Sequence, residues 1–247
     1  MIMELISLIT VTHNRPEFLK MQYENICNQT WTNWEWLIDD NSEVPDDFFD
    51  KLNDHRVHYY RSNNLTIGTR RNMLIERSKG DIIAIINDDD YYTNIYLKEL
   101  YGYLKTDIDF VKITGFYLYD YIENIFAFWD LTLNVGQFKM LGNGKNEYYY
   151  IDNATSPGSL DWELGYSFAY MFRKNIFPDI KFSDKNIGDD IDFTKMSILT
   201  KNVIGIQDKQ GIVLHTLCGN NINYCFPQYE IPMSILDIKF PKFINKI

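Results

Sequence analysis

The run Ile82-Ile83-Ala84-Ile85-Ile86 is the feature that most constrains this fold. Five consecutive apolar residues, four of them β-branched, suit a strand buried on both faces, as found inside the sheet of an α/β protein. The run is entered through Gly80-Asp81 and ends abruptly on Asn87-Asp88-Asp89-Asp90. Adjacent carboxylates repel one another, and packing gives no reason for three of them at the end of a buried strand. In open α/β sheets the carboxyl edge is where ligands bind. Crowded hard oxygen donors suit Mg2+ or Mn2+, which commonly takes one or two carboxylates together with substrate phosphates. The competing account is a solvated acidic loop that caps the next helix.

The preceding chain repeats the pattern. Leu5 to Thr10 reads as an apolar strand, followed by Val11 to Pro16, where Pro16 fits the first turn of a helix carrying Phe18, Leu19, Tyr23 and Ile26. Trp34 to Ile38 reads as a strand that also ends in acids, Asp39-Asp40. Asp46 to Leu52 suits a short helix, Val57 to Tyr60 a strand, and Gly68 to Ser78 a helix ending before Lys79-Gly80. Strands alternating with helices imply a parallel, doubly wound sheet with two acidic clusters on one edge.

Thr93 is then placed to cap a helix burying Tyr96, Leu100, Tyr103 and Leu104. Strands are expected at Asp109 to Leu118, Ile125 to Leu133, Tyr166 to Phe172, Val203 to Gln207 and Gly211 to His215. Leu141 to Leu160, rich in Gly, Asn, Tyr and Ser, reads as a long surface loop, suited to a lid or an acceptor rim. A helix is expected from Gly188-Asp189-Asp190 to about Thr200. The last 30 residues show no period and suggest an arm packed on the domain.

Composition narrows the ligand. A net charge of −10 argues against a nucleic-acid partner, so an anionic ligand would need a metal or local arginine. Three cysteines, Cys27, Cys218 and Cys225, are too few and scattered for a disulfide framework or zinc site, and fit a reducing, cytoplasmic setting. The opening MIMELISLIT lacks a basic stretch and does not read as a signal peptide. No apolar run is long enough to cross a bilayer, although peripheral membrane contact stays open.

Dinucleotide (G-x-G-x-x-G), P-loop and Ser nucleophile-elbow motifs are missing. What remains is three acidic groups, Asp39-Asp40, Asp88-Asp89-Asp90 and Asp189-Asp190. A metal on the middle group would bridge a diphosphate, and a carboxylate of the third would serve as base for an incoming hydroxyl. Those parts suffice for glycosyl transfer from a nucleotide sugar.

From about Leu5 to His215 the chain resembles the family-2 glycosyltransferases. S-L-I-T-V-T-H-N-R-P is similar to that family's opening V-S-V-I-I-P-T-Y-N-R, with Val11 for Pro and His13 for Tyr. W-L-I-D-D-N-S resembles V-V-D-D-x-S, whose second Asp contacts uracil and falls on Asp40. Gly68-Thr69-Arg70-Arg71-Asn72 resembles G-x-A-R-N, which implies Arg71 near the diphosphate, with Arg70 as rival. Asn87-Asp88-Asp89-Asp90 is similar to D-x-D-D, the D-x-D motif, with Asn87 replacing the first Asp. Gly188-Asp189-Asp190-Ile191-Asp192-Phe193 resembles G-E-D-x-D-L, whose central Asp is the base of inverting members.

The resemblance implies a GT-A fold: α/β, Rossmann-like, with a mostly parallel central sheet flanked by helices and a small additional antiparallel sheet. It would occupy 1–215, with 1–105 as the nucleotide-binding half, 106–215 as the acceptor and catalytic half, and 216–247 as a C-terminal arm. It implies Asp190 as catalytic base, with Asp189 and Asp192 as rivals. Donor binding would fall to Thr12, His13, Asn14, Arg15, Asp40, Gly68, Arg71 and Asp88. Mn2+ or Mg2+ would be held by Asp89, Asp90 and His215. Trp162 and Asp189 are the acceptor-side candidates, Trp162 by stacking on a sugar. The partners implied are a nucleotide sugar, UDP-linked by preference, and a glycan or other hydroxyl acceptor. A catalytically silent binding module and a sugar nucleotidyltransferase share the architecture. The latter would want a Gly-rich basic loop after the first strand, and Val11 to Pro16 contains no glycine.

Overall fold

The computed structural model describes residues 3–104, 107–132, 136–142, 145–151, 166–177, 179–219, 221 and 229–243. The first ninety residues build the expected alternation. It runs β1 (Ile6–Thr12), α1 (Pro16–Cys27), β2 (Trp34–Asp40), α2 (Asp47–Lys51), β3 (Val57–Arg61), α3 (Ile67–Arg77) and β4 (Ile82–Ile85). β4, β1, β2 and β3 lie side by side and parallel. Pro16 opens α1, and the Asp46 carboxylate caps α2 by accepting from the Phe48 amide at 2.9 Å.

The unbroken apolar run of β4 is explained by its two covered faces. Ile82, Ala84 and Ile86 join Ile6, Leu8, Trp34 and Trp36 on one side, packed on Leu19 and Ile26 of α1 and Phe49 of α2. Ile83 and Ile85 join Ile9 and Leu37 on the other, packed on Leu74 and Ile75 of α3. Successive strand side chains point to opposite faces, so a strand between two helix layers must be apolar at every position.

After β4 come β5 (Tyr91–Tyr92), α4 (Tyr96–Tyr103), β6 (Phe110–Asp120), β7 (Ile125–Asp130), β8 (Gly136–Gly142), β9 (Lys145–Ile151) and β10 (Tyr170–Arg173). The chain continues through α5 (Asp189–Thr200), β11 (Val203–Gln207), β12 (Val213–Leu217), β13 (Tyr229–Glu230) and α6 (Met233–Lys239). The sheet order is β13-β7-β6-β10-β4-β1-β2-β3. β10 is inserted antiparallel between β4 and β6. β11 and β12 add parallel to β6, and β12 also pairs antiparallel with β5. β8 and β9 form a separate antiparallel pair. The expected α/β architecture, with a smaller antiparallel sheet, is therefore present.

Several local expectations need correction. Residues 141–151, expected in a loop, belong largely to the β8–β9 hairpin; residues 152–160 lie outside the described residues. Thr93 does not cap α4, because its hydroxyl donates to the Ile212 carbonyl at 2.9 Å, tying α4 to the start of β12. Leu97, rather than the exposed Tyr103, completes the buried face of α4. The strand expected from Tyr166 begins only at Tyr170, after a 3-10 turn at Ser167–Ala169. Within the final 30 residues α6 forms, and Leu236, Phe240 and Phe243 pack with Tyr91, Tyr117 and Phe126.

α5 is anchored by Phe193, whose ring stacks on Phe182 at 4.4 Å and meets Phe110, Tyr170 and Phe172. Phe193→Ala should cost about 3–5 kcal/mol through lost burial and the cavity left behind. Leu199→Ala, on the exposed side of the same helix, should change stability by less than about 0.5 kcal/mol. Urea denaturation measures both; equal midpoints would contradict this account of how α5 is held.

Candidate active site

The carboxyl ends of β1, β2 and β4 converge. Register pairs Thr12 with Asp40, and Ile9 with Ile85, so continuing β4 brings Asp88 level with Thr12. The Thr12 hydroxyl donates to Asp88 Oδ2 at 2.5 Å. All three acids of the middle group are buried, with Asp88, Asp89 and Asp90 at 6%, 7% and 3% exposure. Their turn is pinned through its backbone. Gln22 of α1 donates to the carbonyls of Asn87 and Asp90, Thr10 to that of Ile86, and Thr216 to that of Asp89.

Arg15 supplies the cation that such packing requires. Its Nη1 contacts Asp88 Oδ1 at 3.2 Å and Asp89 Oδ2 at 2.6 Å. Burial works against the guanidinium charge, but the two carboxylates outweigh it and raise its pKa. Compensation of the acids is incomplete. Burial, then the charges of Asp90 and Asp88, push the Asp89 carboxyl up to about 7. Asp88 is raised as well, chiefly by burial. Asp90 Oδ1 accepts from the Thr216 amide at 2.9 Å and lies 2.7 Å from His215 Nδ1 on β12. The His215 ring stacks on Phe168 at 4.7 Å.

Next to this cluster lies a cleft of roughly 240 Å³, lined by Asn14, Arg15, Leu19, Asp40, Ser42 and Val44 among others. Asp40 Oδ1 accepts from the Ser42 amide and hydroxyl, and Oδ2 from Tyr59 at 2.5 Å. Asn14 has a positive φ of 54°, and its amide donates to Ser42 Oγ at 2.6 Å. His13 Nδ1 lies 3.2 Å from the Asn41 carbonyl. Thr12, His13, Asn14, Arg15, Asp40, Asp88, Asp89, Asp90 and His215 thus occupy one contiguous region.

Arg70 and Arg71 separate cleanly. Arg70 is a buried tie whose Nε donates to Asp39 Oδ1 at 2.6 Å and whose Nη2 donates to the Thr12 carbonyl. Arg71 instead pairs with Asp189 at 2.7 Å, across 118 residues of chain. Gly68 allows that approach, since a Cβ there would sit 1.8 Å from the Ser183 carbonyl oxygen. Asp192 turns outward to Ser183 and Lys185. Asp190 points elsewhere: its Oδ2 accepts from the Ser167 amide at 3.0 Å, one residue before the Phe168 ring that carries His215. Trp162 lies outside the described residues.

Among the described residues, no three carboxylate, imidazole or thiol groups converge into a complete metal cage. The donors still fit a divalent cation shared with a substrate. Asp90 Oδ2 is buried without a partner among the described residues, and the Asp89 bonds to Arg15, Asn221 and Cys218 all use Oδ2. One or two carboxylates completed by phosphate oxygens is an ordinary Mg2+ or Mn2+ arrangement.

Residues 7–160 match the family model described as Glycosyl transferase family 2. The chain belongs to that family. Among curated glycosyltransferases, GlyG of Streptococcus pneumoniae is 26% identical over 218 residues, covering 83% of this chain and 69% of GlyG. WfaP of Escherichia coli, named a UDP-Glc:alpha-D-GlcNAc-diphosphoundecaprenol beta-1,3-glucosyltransferase, is 28% identical over 120 residues, or 47% of each chain. The chain therefore spans about half the length of WfaP. S. aureus TarS 1-349 superposes with a TM-score of 0.60 at 16% identity, over 85% of this chain and 60% of that one. The mannosyltransferase PcManGT of Pyrobaculum calidifontis gives 0.59 at 12%, over 88% and 58%. These likenesses establish the GT-A fold. Among the described residues no helix is long and apolar enough to cross a membrane.

Sequence reasoning did not single out Gln22, Tyr59 or Asn221. Gln22 carried one usable signal: it falls between Leu19 and Ile26 at helical spacing, on the buried face of α1. If Arg15 holds the acids together, a double-mutant cycle of Arg15→Met and Asp89→Asn should give a coupling of about 1.5–3 kcal/mol in urea denaturation. Additive losses would show that the pair does not act as one.

Proposed function

We propose that this family-2 domain transfers a sugar from a nucleoside-diphosphate sugar, UDP-linked by preference, to a hydroxyl acceptor such as a glycan, with inversion at the anomeric carbon. The observation that carries this reading is the convergence of Asp40, Asp88, Asp89, Asp90 and His215 on one rim, linked to Asp190 through Phe168 and Ser167. Asp40, oriented by Ser42 and Tyr59, is suited to accept a hydrogen bond from a uracil ring in the adjoining cleft. Arg15, which lines that cleft, is a fixed cation available to a diphosphate.

Asp190 acts as the base. Its rivals are engaged differently, Asp189 by Arg71 and Asp192 by Ser183 and Lys185. Asp190 takes the acceptor proton as the oxygen attacks the anomeric carbon from the face opposite the departing diphosphate. Asp89, with Asp90 and His215, would hold Mn2+ or Mg2+. When bound, such an ion neutralises charge on the leaving diphosphate. The names of known proteins support this donor class. WfaP is named for UDP-Glc, and TarS 1-349 and PcManGT have been solved with UDP-GlcNAc and with GDP-Man plus Mn2+.

A thermal-shift screen of UDP-glucose, UDP-GlcNAc and GDP-mannose with Mn2+ tests donor and metal together. A ligand at a hundred times its Kd should add about 2.7 kcal/mol of stability, and Asp89→Ala should remove most of the shift. An undiminished shift in that variant would move the metal site elsewhere. Asp190→Asn should lower turnover by at least about 100-fold while leaving the donor-induced shift intact. Retained turnover would pass the base to a neighbouring acid.

A further inference from the structure

Asn221 lies shortly after the end of β12 and reaches back to the acid rim. Its side-chain amide is fully committed. Nδ2 donates to Asp89 Oδ2 at 3.0 Å and to the Thr216 carbonyl at 3.1 Å. Oδ1 accepts from the Cys218 amide at 2.7 Å and from the Cys218 thiol at 3.4 Å. The side chain is thus tied to its own segment at Thr216 and Cys218, and only the bond to Asp89 leaves that segment. From the same stretch the Thr216 hydroxyl donates to the Asp89 carbonyl. One short run of chain therefore grips both the backbone and the carboxylate of Asp89.

A free aspartate offers two equivalent oxygens, because its terminal torsion is broad and two-fold. At Asp89 that equivalence is broken. Arg15 at 2.6 Å and Asn221 at 3.0 Å both donate to Oδ2, the Cys218 thiol approaches it at 3.9 Å, and none of these contacts uses Oδ1. The two closer donors differ in charge. Arg15 opposes the approach of a second cation, and it lines the cleft where a diphosphate would compete for it. Asn221 is neutral and is held by Thr216 and Cys218. A neutral donor fixes the oxygen without repelling an incoming ion.

We propose that Asn221 is a positioning residue for Asp89: it holds Oδ2 in place and so leaves Oδ1 as the oxygen offered to a divalent cation that arrives with the donor. The proposal deepens the reading of Asp89 as a metal contact and rests on it. Groups that hydrogen-bond a metal-ligating carboxylate orient it, and their removal typically weakens metal binding by about 10–100-fold. Without Asn221, the orientation of Asp89 would rest chiefly on Arg15, and that hold weakens when the guanidinium turns to a phosphate. Asn221 therefore matters most when nucleotide and cation are bound together.

The test reads binding, not turnover. Mn2+ binding at saturating UDP is followed by the EPR signal of the free ion in the wild type, Asn221→Ala and Asp89→Ala. Asn221→Ala should raise the Mn2+ Kd by about 10-fold or more and leave the affinity for UDP without metal unchanged. Excess Mn2+ should then restore the wild-type thermal shift with UDP. An unchanged Mn2+ Kd would overturn the proposal, because Asn221 would not orient the ligand. Loss of metal-free UDP binding in step with Mn2+ binding would also overturn it, by showing that Asn221 only holds its loop. If Asn221→Ala does not fold, Asn221→Leu, of similar shape but without the amide, carries the same expectations. Asp89→Ala separates the two readings. If it loses Mn2+ while Asn221→Ala does not, the metal contact stands and the positioning role falls. A wild type that binds no Mn2+, or an Asp89→Ala variant that binds it as the wild type does, would withdraw the metal assignment and the positioning role with it.

Discussion

Three carboxylates buried side by side at the end of a central strand are the constraint on which this structure depends. Charge of that density is tolerated away from water only when it is paired and hydrogen-bonded. Each acid has its own remedy: Thr12 and Arg15 for Asp88, Arg15 and Asn221 for Asp89, and His215 with the Thr216 amide for Asp90. The remedies stop short of neutralisation, and Asp89 keeps an affinity for protons far above that of an ordinary carboxylate. A fold selected only for stability would have replaced one of these acids. A rim short of positive charge suits a site completed by a cation arriving with an anionic substrate.

The same constraint joins the early strands to the later ones. β12 supplies His215, the Thr216 hydroxyl and the Thr216 amide to the acid turn, so the antiparallel β5–β12 contact also completes the site. The Tyr92 hydroxyl accepts from the Asn87 amide and donates to the Phe168 carbonyl, linking the turn to the segment that positions Asp190. Asp190 and the acid rim are thus linked through Tyr92 and the backbone of Ser167 and Phe168.

Much of the fold was legible because its signals are local. Pro16, the Ile82–Ile86 run and the acids closing β2 and β4 each speak within a window of a few residues. Errors arose where a distant contact overrode the local pattern. Thr93 looked like a helix cap, but the Ile212 carbonyl claims its hydroxyl. The Gly- and Asn-rich residues 141–151 looked like loop, yet most of them pair across the β8–β9 hairpin. α6 escaped notice because its short apolar pattern gains meaning only against Tyr91, Tyr117 and Phe126.

By itself the sequence determined the alternation of strand and helix, the two-sided burial of β4 and the delivery of acids to one sheet edge. Each follows from side-chain period and from the chemistry of neighbouring residues. Only the tertiary structure decided which charges meet. It assigned Arg70 to Asp39 and Arg71 to Asp189, turned Asp192 outward, and set Asp190 against Ser167. The physical reason is that an ion pair's strength depends on separation and desolvation in space. Arg71 and Asp189, 118 residues apart in the chain, come within 2.7 Å only after the sheet has formed.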